Sequence, residues 1–114
     1  MSLKSLVFGL GICLSISAYA ADPIKIGIPV GLSGANSVVA PSVVQASELA
    51  VAEINAKGGV IGRPLQLEIA DDGSGAQGAQ RAYDSLVFQK EVDGIVAMET
   101  TAARNAGLPI VNRG

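Results

Sequence analysis

The fold class follows from the sequence Ile24-Lys25-Ile26-Gly27-Ile28-Pro29-Val30, in which isoleucine or valine stands at every second position. A two-residue hydrophobic period predicts a β-strand, and Pro29 should lie near its end because proline cannot donate a hydrogen bond to the ladder. The loop Gly31-Leu32-Ser33-Gly34 follows, and its small residues would let a ligand approach the backbone. Open α/β sheets bind ligands at this end of their strands, so Ser33 is a candidate binding residue, and a plain turn is the alternative.

A helix and a second strand are predicted next. The helix should begin at about Pro41 and end at Lys57-Gly58-Gly59, because a basic residue followed by glycine is a common C-terminal cap. Its predicted apolar face consists of Val43, Ala46, Ala50, Val51 and Ile54, and its predicted polar face of Gln45, Glu48 and Asn55. Leu65, Leu67 and Ile69 then alternate with polar residues, which predicts a strand with one wet face at a sheet edge.

The remaining pattern predicts a third strand between two helices. The first of these helices has an apolar face at i, i+3, i+4 spacing that consists of Ala79, Ala82, Tyr83, Leu86 and Val87. Asp93-Gly94 should end it, and the wholly apolar run from Ile95 to Met98 predicts a strand covered on both faces. For the last segment we favour a helix kinked at Pro109, and a strand from Leu108 to Val111 is the alternative.

Three alternations of strand and helix predict an α/β fold with a parallel sheet, helices on both faces and right-handed crossovers. The fold class is therefore a partial three-layer αβα Rossmann-like lobe. Because three strands leave the far side of such a sheet open, residues 21–114 are expected to be the N-terminal part of a larger, truncated lobe.

Residues 1–20 have the features of a secretory signal peptide. They carry one basic residue, Lys4, then an apolar stretch, and end in Ala18-Tyr19-Ala20, with small residues where a signal peptidase requires them. A membrane anchor is the alternative, but the apolar run of about 11 residues is short of the about 20 that span a bilayer. A lipoprotein signal with lipidation at Cys13 is disfavoured, because a small residue is expected just before the lipidated cysteine and Ile12 stands there. The mature chain is therefore expected to begin near Ala21 and to be exported.

The composition excludes several classes of function. The formal net charge is −2, so no basic patch is available to bind nucleic acid. The sequence has no histidine, and its single cysteine, Cys13, lies in the predicted leader. Thiol chemistry, imidazole chemistry and the common zinc sites therefore lack their side chains. We expect no enzymatic activity, no cofactor and no bound metal.

One motif favours a different function. Gly73-Ser74-Gly75-Ala76-Gln77-Gly78 is a formal G-x-G-x-x-G after a predicted strand, and Glu99 follows about 20 residues later, as in the dinucleotide-binding domains of oxidoreductases. Asp71 and Asp72 directly precede the glycines, and their charge would repel a pyrophosphate. The favoured interpretation is a flexible loop in which Ser74 or nearby backbone caps the helix.

A second candidate site lies at Thr100-Thr101, between the third strand and the last helix. One hydroxyl can cap the helix, while the other, with free backbone N–H groups, can face an anion such as a carboxylate. Capping alone is the alternative.

Three stretches together resemble the start of the type I periplasmic binding proteins of the leucine/isoleucine/valine-binding kind, which include amide- and urea-binding relatives. They are residues 24–34, residues 54–64 (Ile-Asn-Ala-Lys-Gly-Gly-Val-Ile-Gly-Arg-Pro) and Asp71-Asp72. The resemblance implies that Ser33, Thr100 and Thr101 bind the ligand's carboxylate or amide, with Thr101 the stronger candidate. Glu99 departs from the family, in which that position is often aromatic or small.

The same resemblance implies two α/β lobes that close on a small amino acid or amide in the periplasm. The loaded protein would deliver this ligand to an ABC permease in the inner membrane. This chain, truncated within its first lobe, is not expected to close on a ligand alone. A receptor's sensing domain with the same fold is a further alternative.

Overall fold

Three parallel strands form one sheet in the order β2-β1-β3 in the computed structural model, which describes residues 21–114. The strands are β1 (Ile24–Val30), β2 (Leu65–Asp71) and β3 (Gly94–Ile95). The predicted signal peptide lies outside the described residues. Within the described part, no helix is long and apolar enough to cross a membrane.

β1 is the central strand, and its register brings the carboxyl ends of all three strands to one edge of the sheet. Ile24 pairs with Leu65 and Val30 with Asp71 along β2, while Ile26 pairs with Gly94 of β3. This order confirms that the second strand lies at a sheet edge. The loops after the strands therefore meet at a common edge, where ligands bind in open α/β sheets.

Helix α1 (Ala40–Ala56) covers one face of the sheet, as predicted, but its orientation about its axis differs from the prediction. Ala46 and Ala50 are exposed and Ile54 is 36% exposed, whereas Asn55 is partly buried. The cause is a pair of hydrogen bonds: Asn55 Nδ2 donates to Leu65 O (2.9 Å), and Leu65 N donates to Asn55 Oδ1 (2.8 Å). The assignment of Asn55 to the polar, solvent-facing side was therefore wrong.

The predicted end of α1 is confirmed. Lys57 is the C-cap, Gly58 and Gly59 both have positive φ, and Gly59 N donates to Ile54 O (3.0 Å). A Cβ at Gly59 would lie 2.1 Å from Arg63 O, so only glycine fits there. The chain then turns into β2.

Helix α2 (Ala76–Asp84) and the π-helical turn that continues it (Ser85–Gln89) cover the opposite face. Leu86 lies over Gly27 of β1, where an added Cβ would be 3.2 Å from the leucine side chain. The predicted face is confirmed, since Ala79, Ala82, Tyr83 and Leu86 are buried. Helices on both faces of a parallel sheet confirm the α/β fold class.

The third strand is shorter and more exposed than predicted. Only Gly94 and Ile95 are in the ladder, and beyond them a single bridge joins Val30 to Met98. Val96 is 63% and Met98 56% exposed, so the prediction of a strand covered on both faces is wrong for the described chain. The reason is that β3 lies at the edge of the sheet, beside β1 on one side only.

Helix α3 (Thr101–Val111) contains Pro109, so the favoured prediction of a helix for the last segment is confirmed and the strand alternative is wrong. It packs on α2 through a core of Ala79, Tyr83, Ala103 and Ile110. Gly107 allows this close approach, because a Cβ there would lie 2.5 Å from the Tyr83 ring. Val111 is 39% exposed, so it contributes less to this core than the helical spacing of the apolar residues suggested.

Candidate ligand-binding site

A cavity of about 230 Å³ opens at the carboxyl edge of the sheet. One wall is formed by the end of β1 and the start of α1, and the other by the β3–α3 loop (residues 96–100). The lining side chains are five apolar ones, Val30, Val39, Ala40, Val43 and Met98, and three polar ones, Asn36, Glu99 and Thr100. An aliphatic cavity with a few polar groups suits a small amphiphilic solute.

The two threonines of the β3–α3 loop have different roles. Thr100 is the N-cap of α3, and its Oγ1 accepts a hydrogen bond from Ala103 N (3.2 Å). Thr101 is the first residue of the helix and is exposed. The sequence did not decide which of the two threonines caps the helix, and in the structure it is Thr100. The cap uses the N–H of the buried Ala103, while the exposed residues Thr101 and Ala102 lie at the positive end of the helix dipole.

Ser33 is hydrogen-bonded to Asp71. Its Oγ donates to Asp71 Oδ2 (2.7 Å) and its N–H donates to Asp71 Oδ1 (3.2 Å). The hydrogen bond from the Ser33 hydroxyl is the main reason that the pKa of Asp71 lies below its ordinary value of 3.8. Ser33, Thr100 and Thr101 lie at the same edge of the sheet, but of the three only Thr100 lines the cavity.

The glycine-rich motif does not present its N–H groups to a phosphate. Gly73 N donates to Asp71 Oδ1 (2.9 Å), Ser74 N to Asp72 Oδ1 (2.7 Å) and Gly75 N to Asp72 O (3.3 Å). Three successive N–H groups that could bind a pyrophosphate are thus occupied by oxygen atoms of the chain itself. Because these acceptors include two carboxylates, the loop would also repel an anion.

Ser74 connects two loops and does not cap α2. Gly75 is the N-cap in an extended conformation, with no side-chain cap. The Ser74 Oγ instead donates to Ser33 O (2.7 Å) and accepts from Asn36 N (2.9 Å). The interpretation of Ser74 as a helix cap was therefore wrong, and its hydroxyl fixes the β1–α1 loop (residues 31–39) against the β2–α2 loop (residues 72–75).

A buried polar cluster lies beneath the candidate site. Tyr83 donates from its hydroxyl to Glu99 Oε1 (2.6 Å), and Asp72 is fully buried. Burial raises the pKa of Glu99, the nearby Asp72 carboxyl raises it further, and the Tyr83 hydrogen bond and the Arg104 charge oppose the rise. Burial and the contact with Glu99 also raise the pKa of Tyr83. The sequence signal for this cluster was Tyr83 on a buried helix face, since a buried tyrosine hydroxyl needs a partner.

No metal centre is formed by the residues that the structure describes, because no three of their acidic or thiol side chains converge.

Comparison with known proteins decides the family. The sequence profile of the family described as "Periplasmic binding protein" matches residues 23–114, which is most of the chain. The chain belongs to the periplasmic binding protein family. Its resemblance to the leucine/isoleucine/valine-binding kind is confirmed by the relatives and by the structural neighbours.

Two curated relatives illustrate this family assignment. "Leu/Ile/Val-binding protein homolog 8" of Brucella suis biovar 1 is 33% identical over 125 aligned positions, which cover all of this chain and 31% of the relative. "Leu/Ile/Val-binding protein BraC3" of Rhizobium johnstonii is 37% identical over 83 residues, covering 72% of this chain and 23% of that protein. The chain thus spans less than a third of the length of these relatives.

A solved relative shows the same fold. The branched-chain amino acid transporter substrate-binding protein LivJ of Streptococcus pneumoniae, solved in complex with isoleucine, superposes with a TM-score of 0.75 at 29% identity. The match covers 81% of this chain and 26% of LivJ. The type I fold predicted from the resemblance is therefore confirmed.

Proposed function

We propose that this chain acts as the substrate-binding component of an ABC importer for branched-chain amino acids or related small amides. Support comes from its family, from relatives named as Leu/Ile/Val-binding proteins, and from a LivJ neighbour solved with isoleucine. In this proposal residues 1–20 are a signal peptide, the protein works in the periplasm, and its partner is an inner-membrane ABC permease. It binds and delivers a ligand without chemical change.

The observation that carries the proposal is that Thr100 and Thr101 have different roles at the start of α3. Because the Thr100 hydroxyl accepts from Ala103 N, we expect the Thr101 hydroxyl and the N–H groups of Thr101 and Ala102 to bind a ligand's carboxylate or amide. Hydrogen bonds from neutral donors to a carboxylate are charge-assisted and stronger than those between neutral groups. The helix dipole adds a favourable interaction of the same sign.

The size and the apolar lining of the cavity beside Thr100 suit an aliphatic ligand. Its volume of about 230 Å³ is below the about 300–1,000 Å³ of pockets for drug-sized molecules, so it suits a small solute. Val30, Val39 and Val43 offer apolar surface to a branched hydrocarbon side chain. Burial of such a side chain would contribute about 25 cal/mol per Å² of apolar surface.

Ser33 has a secondary part in this proposal. Its hydroxyl proton is engaged by Asp71, so the oxygen is available only as an acceptor. We expect it to accept from an N–H of the ligand and to contribute less than Thr101.

The ligand can be tested in a chimera, because the curated relatives are much longer than this chain and residues 21–114 alone are not expected to close on a ligand. In the chimera, residues 23–114 replace the matching segment of LivJ. Calorimetric titration with isoleucine, leucine, valine, short amides and NAD should show binding of at least one aliphatic amino acid or amide and none of NAD. A folded chimera that bound NAD, or none of the aliphatic ligands, would contradict the proposal.

A further inference from the structure

The cavity at the carboxyl edge of the sheet has one charged side chain in its described wall, Glu99. The other polar lining residues, Asn36 and Thr100, are uncharged, and the rest of the lining is apolar. Within the part of the chain that the structure describes, Glu99 forms no salt bridge. The Arg104 guanidinium of α3 acts on Glu99 only from beyond salt-bridge distance. The wall of the cavity therefore carries a negative charge without a close cationic partner among the described residues.

Tyr83 fixes the position of the Glu99 carboxyl group. The tyrosine hydroxyl donates to Glu99 Oε1 (2.6 Å). The Tyr83 ring is buried and lies against Gly107 of α3, where an added Cβ would be 2.5 Å from it. Glu99 Oε2 is covered by the protein and has no hydrogen-bond partner among the described residues. The group is thus held through one oxygen, and it acts on the cavity through its charge.

A fixed negative charge discriminates between ligands of different charge. Glu99 is partly buried, and charges in such a site are screened less than charges in water. A ligand that presents only a carboxylate would be repelled by Glu99, whereas a ligand with an ammonium group would be attracted. A neutral amide would gain less than an ammonium group and lose less than a carboxylate.

An α-amino acid has charges that match both ends of this loop segment. Glu99 and Thr101 flank Thr100, so their Cα atoms are at most about 7 Å apart, since consecutive Cα atoms are about 3.8 Å apart. The ammonium and carboxylate groups of an α-amino acid are joined through a single carbon atom. The carboxylate can therefore face Thr101 and the start of α3 while the ammonium group faces Glu99.

We infer that Glu99, held in place by Tyr83, selects for an ammonium group on the ligand, so that the site prefers α-amino acids to carboxylic acids and amides of the same hydrocarbon skeleton. This inference rests on the proposed function, and it narrows the ligand from amino acids or amides to α-amino acids. Glu99 is the specificity-determining residue. Tyr83 is a positioning residue, because it acts on the ligand only through Glu99.

The test is calorimetric titration of the LivJ chimera with three ligands of one skeleton. They are isoleucine, the carboxylic acid in which hydrogen replaces its amino group, and the primary amide of that acid. Because burial raises the pKa of Glu99, the titrations are carried out at about pH 8, where the carboxyl group is ionised. We expect isoleucine to bind more tightly than either of the other two ligands.

Glu99→Gln removes the charge and keeps an acceptor for the Tyr83 hydroxyl. It should lower the preference for isoleucine over the acid by about ten-fold or more, because it removes an attraction for one ligand and a repulsion for the other. The preference is a ratio of two affinities in one protein, so it does not depend on how much of a variant is folded. An unchanged preference in Glu99→Gln would overturn the inference.

Three further variants separate selectivity from general damage to the site. Thr101→Ala should weaken the binding of isoleucine and of the acid alike, because both present a carboxylate, and should leave the preference unchanged. Tyr83→Phe should lower the preference by less than Glu99→Gln, because the carboxyl group stays but loses its donor. Glu53→Gln, exposed on α1, is the matched control and should bind as the parent does.

The outcomes distinguish this inference from the proposed function. A parent chimera that binds isoleucine, with a preference that Glu99→Gln leaves intact, contradicts the inference alone. If Glu99→Gln did not fold, an unchanged preference in Tyr83→Phe would overturn the inference in its place. A folded parent chimera that bound none of the aliphatic ligands would contradict the proposed function, and the inference with it.

Discussion

The β2–α2 loop and the β3–α3 loop leave the same edge of the sheet, but they use their polar groups in opposite ways. In the β2–α2 loop three successive N–H groups donate to oxygens of Asp71 and Asp72, and the Ser74 hydroxyl bonds to the β1–α1 loop. In the β3–α3 loop Thr100 caps the helix and Thr101 stays exposed. The loop that carries the recognisable motif is thus internally satisfied, and the plainer loop keeps an exposed hydroxyl at Thr101.

The difference arises from residues beside the motif. A glycine-rich loop binds phosphate only if its N–H groups are free, and two adjacent carboxylates remove that freedom. In this chain Asp71 and Asp72 occupy the position that an anion would take. A formal G-x-G-x-x-G therefore indicates a tight strand-to-helix turn here, and the residues that precede it decide whether it can bind an anion.

The largest expected effect comes from disturbing the β2–α2 loop through Gly78→Ala. An added Cβ would lie 2.1 Å from Asp72 O, so either the loop or α2 must move. Overpacking of this kind costs about 1–3 kcal/mol. Urea unfolding should show that loss, whereas Gly75→Ala, with no atom within 4 Å of its Cβ, should be nearly neutral. Equal stability of the two variants would show that the loop is not packed as described.

Ser74→Ala should have the next largest effect, because it breaks the connection between the β1–α1 and β2–α2 loops. It removes a donor to Ser33 O and the acceptor for Asn36 N. Loss of one partner from a buried hydrogen bond costs about 1–3 kcal/mol, and partial exposure here places the effect at the lower end. Thermal unfolding of this variant is compared with that of Ser37→Ala, which changes an exposed serine of the β1–α1 loop. If both variants unfolded at the same temperature, the Ser74 hydrogen bonds between the two loops would not stabilise the fold.

Thr100→Ala tests the β3–α3 loop in the same way. Loss of an N-cap costs about 0.5–2 kcal/mol, and Thr100→Ser should restore most of it because serine caps equally well. The prediction is checked by urea unfolding of both variants. A Thr100→Ser variant as unstable as Thr100→Ala would mean that the threonine methyl group, and not the cap, stabilises the loop.

The smallest effect should come from Asp71→Asn at acid pH. The pKa of Asp71 is lowered by the Ser33 hydroxyl, so the folded state binds a proton less readily than the unfolded state. Its contribution is present above pH 3.8 and is lost as the pH falls through the lowered value of the folded protein. Because Asp71 is exposed, solvent screening keeps the effect small.

Thermal unfolding between pH 5 and pH 2 should therefore show a slightly weaker acid dependence for Asp71→Asn than for the parent. The matched control is Asp84→Asn, which removes an exposed carboxylate of α2 outside the Ser33 contact. An identical profile for all three proteins would show that the Ser33 contact does not lower the pKa of Asp71.

Much of the fold could be predicted because the hydrophobic residues recur at clear strand and helix periods along the sequence. The buried face of α2 and of the π-helical turn was predicted correctly, because Tyr83 packs in the core with α3 and Leu86 packs on Gly27 of β1. The face of α1 was not, because alanines tolerate exposure and Asn55 forms a hydrogen-bonded anchor to β2 that no hydropathy pattern contains. The length of β3 also depended on its place at the sheet edge, which only the strand order shows.

The candidate site was predictable only in outline. The sequence placed Thr100 and Thr101 at a helix start but could not decide which would cap it, because that depends on the backbone angles of Thr100. It gave no indication that Ser33 would face Asp71, since these residues meet only when β1 and β2 pair. The hydrogen bond between Tyr83 and Glu99 likewise forms only when α2 lies beside the β3–α3 loop.

We propose that the β3–α3 loop binds the ligand through Thr101. Calorimetric titration of the LivJ chimera with the amino acid or amide that it binds best tests this assignment. Thr101→Ala should weaken binding by about ten-fold to a hundred-fold, since a hydrogen bond to a charged group contributes about 1.5–3 kcal/mol and 1.4 kcal/mol is ten-fold in affinity. Thr101→Ser should cost far less, because the hydroxyl is retained. If Thr101→Ala bound that ligand as tightly as the parent chimera, the assignment of this loop as the binding site would be contradicted.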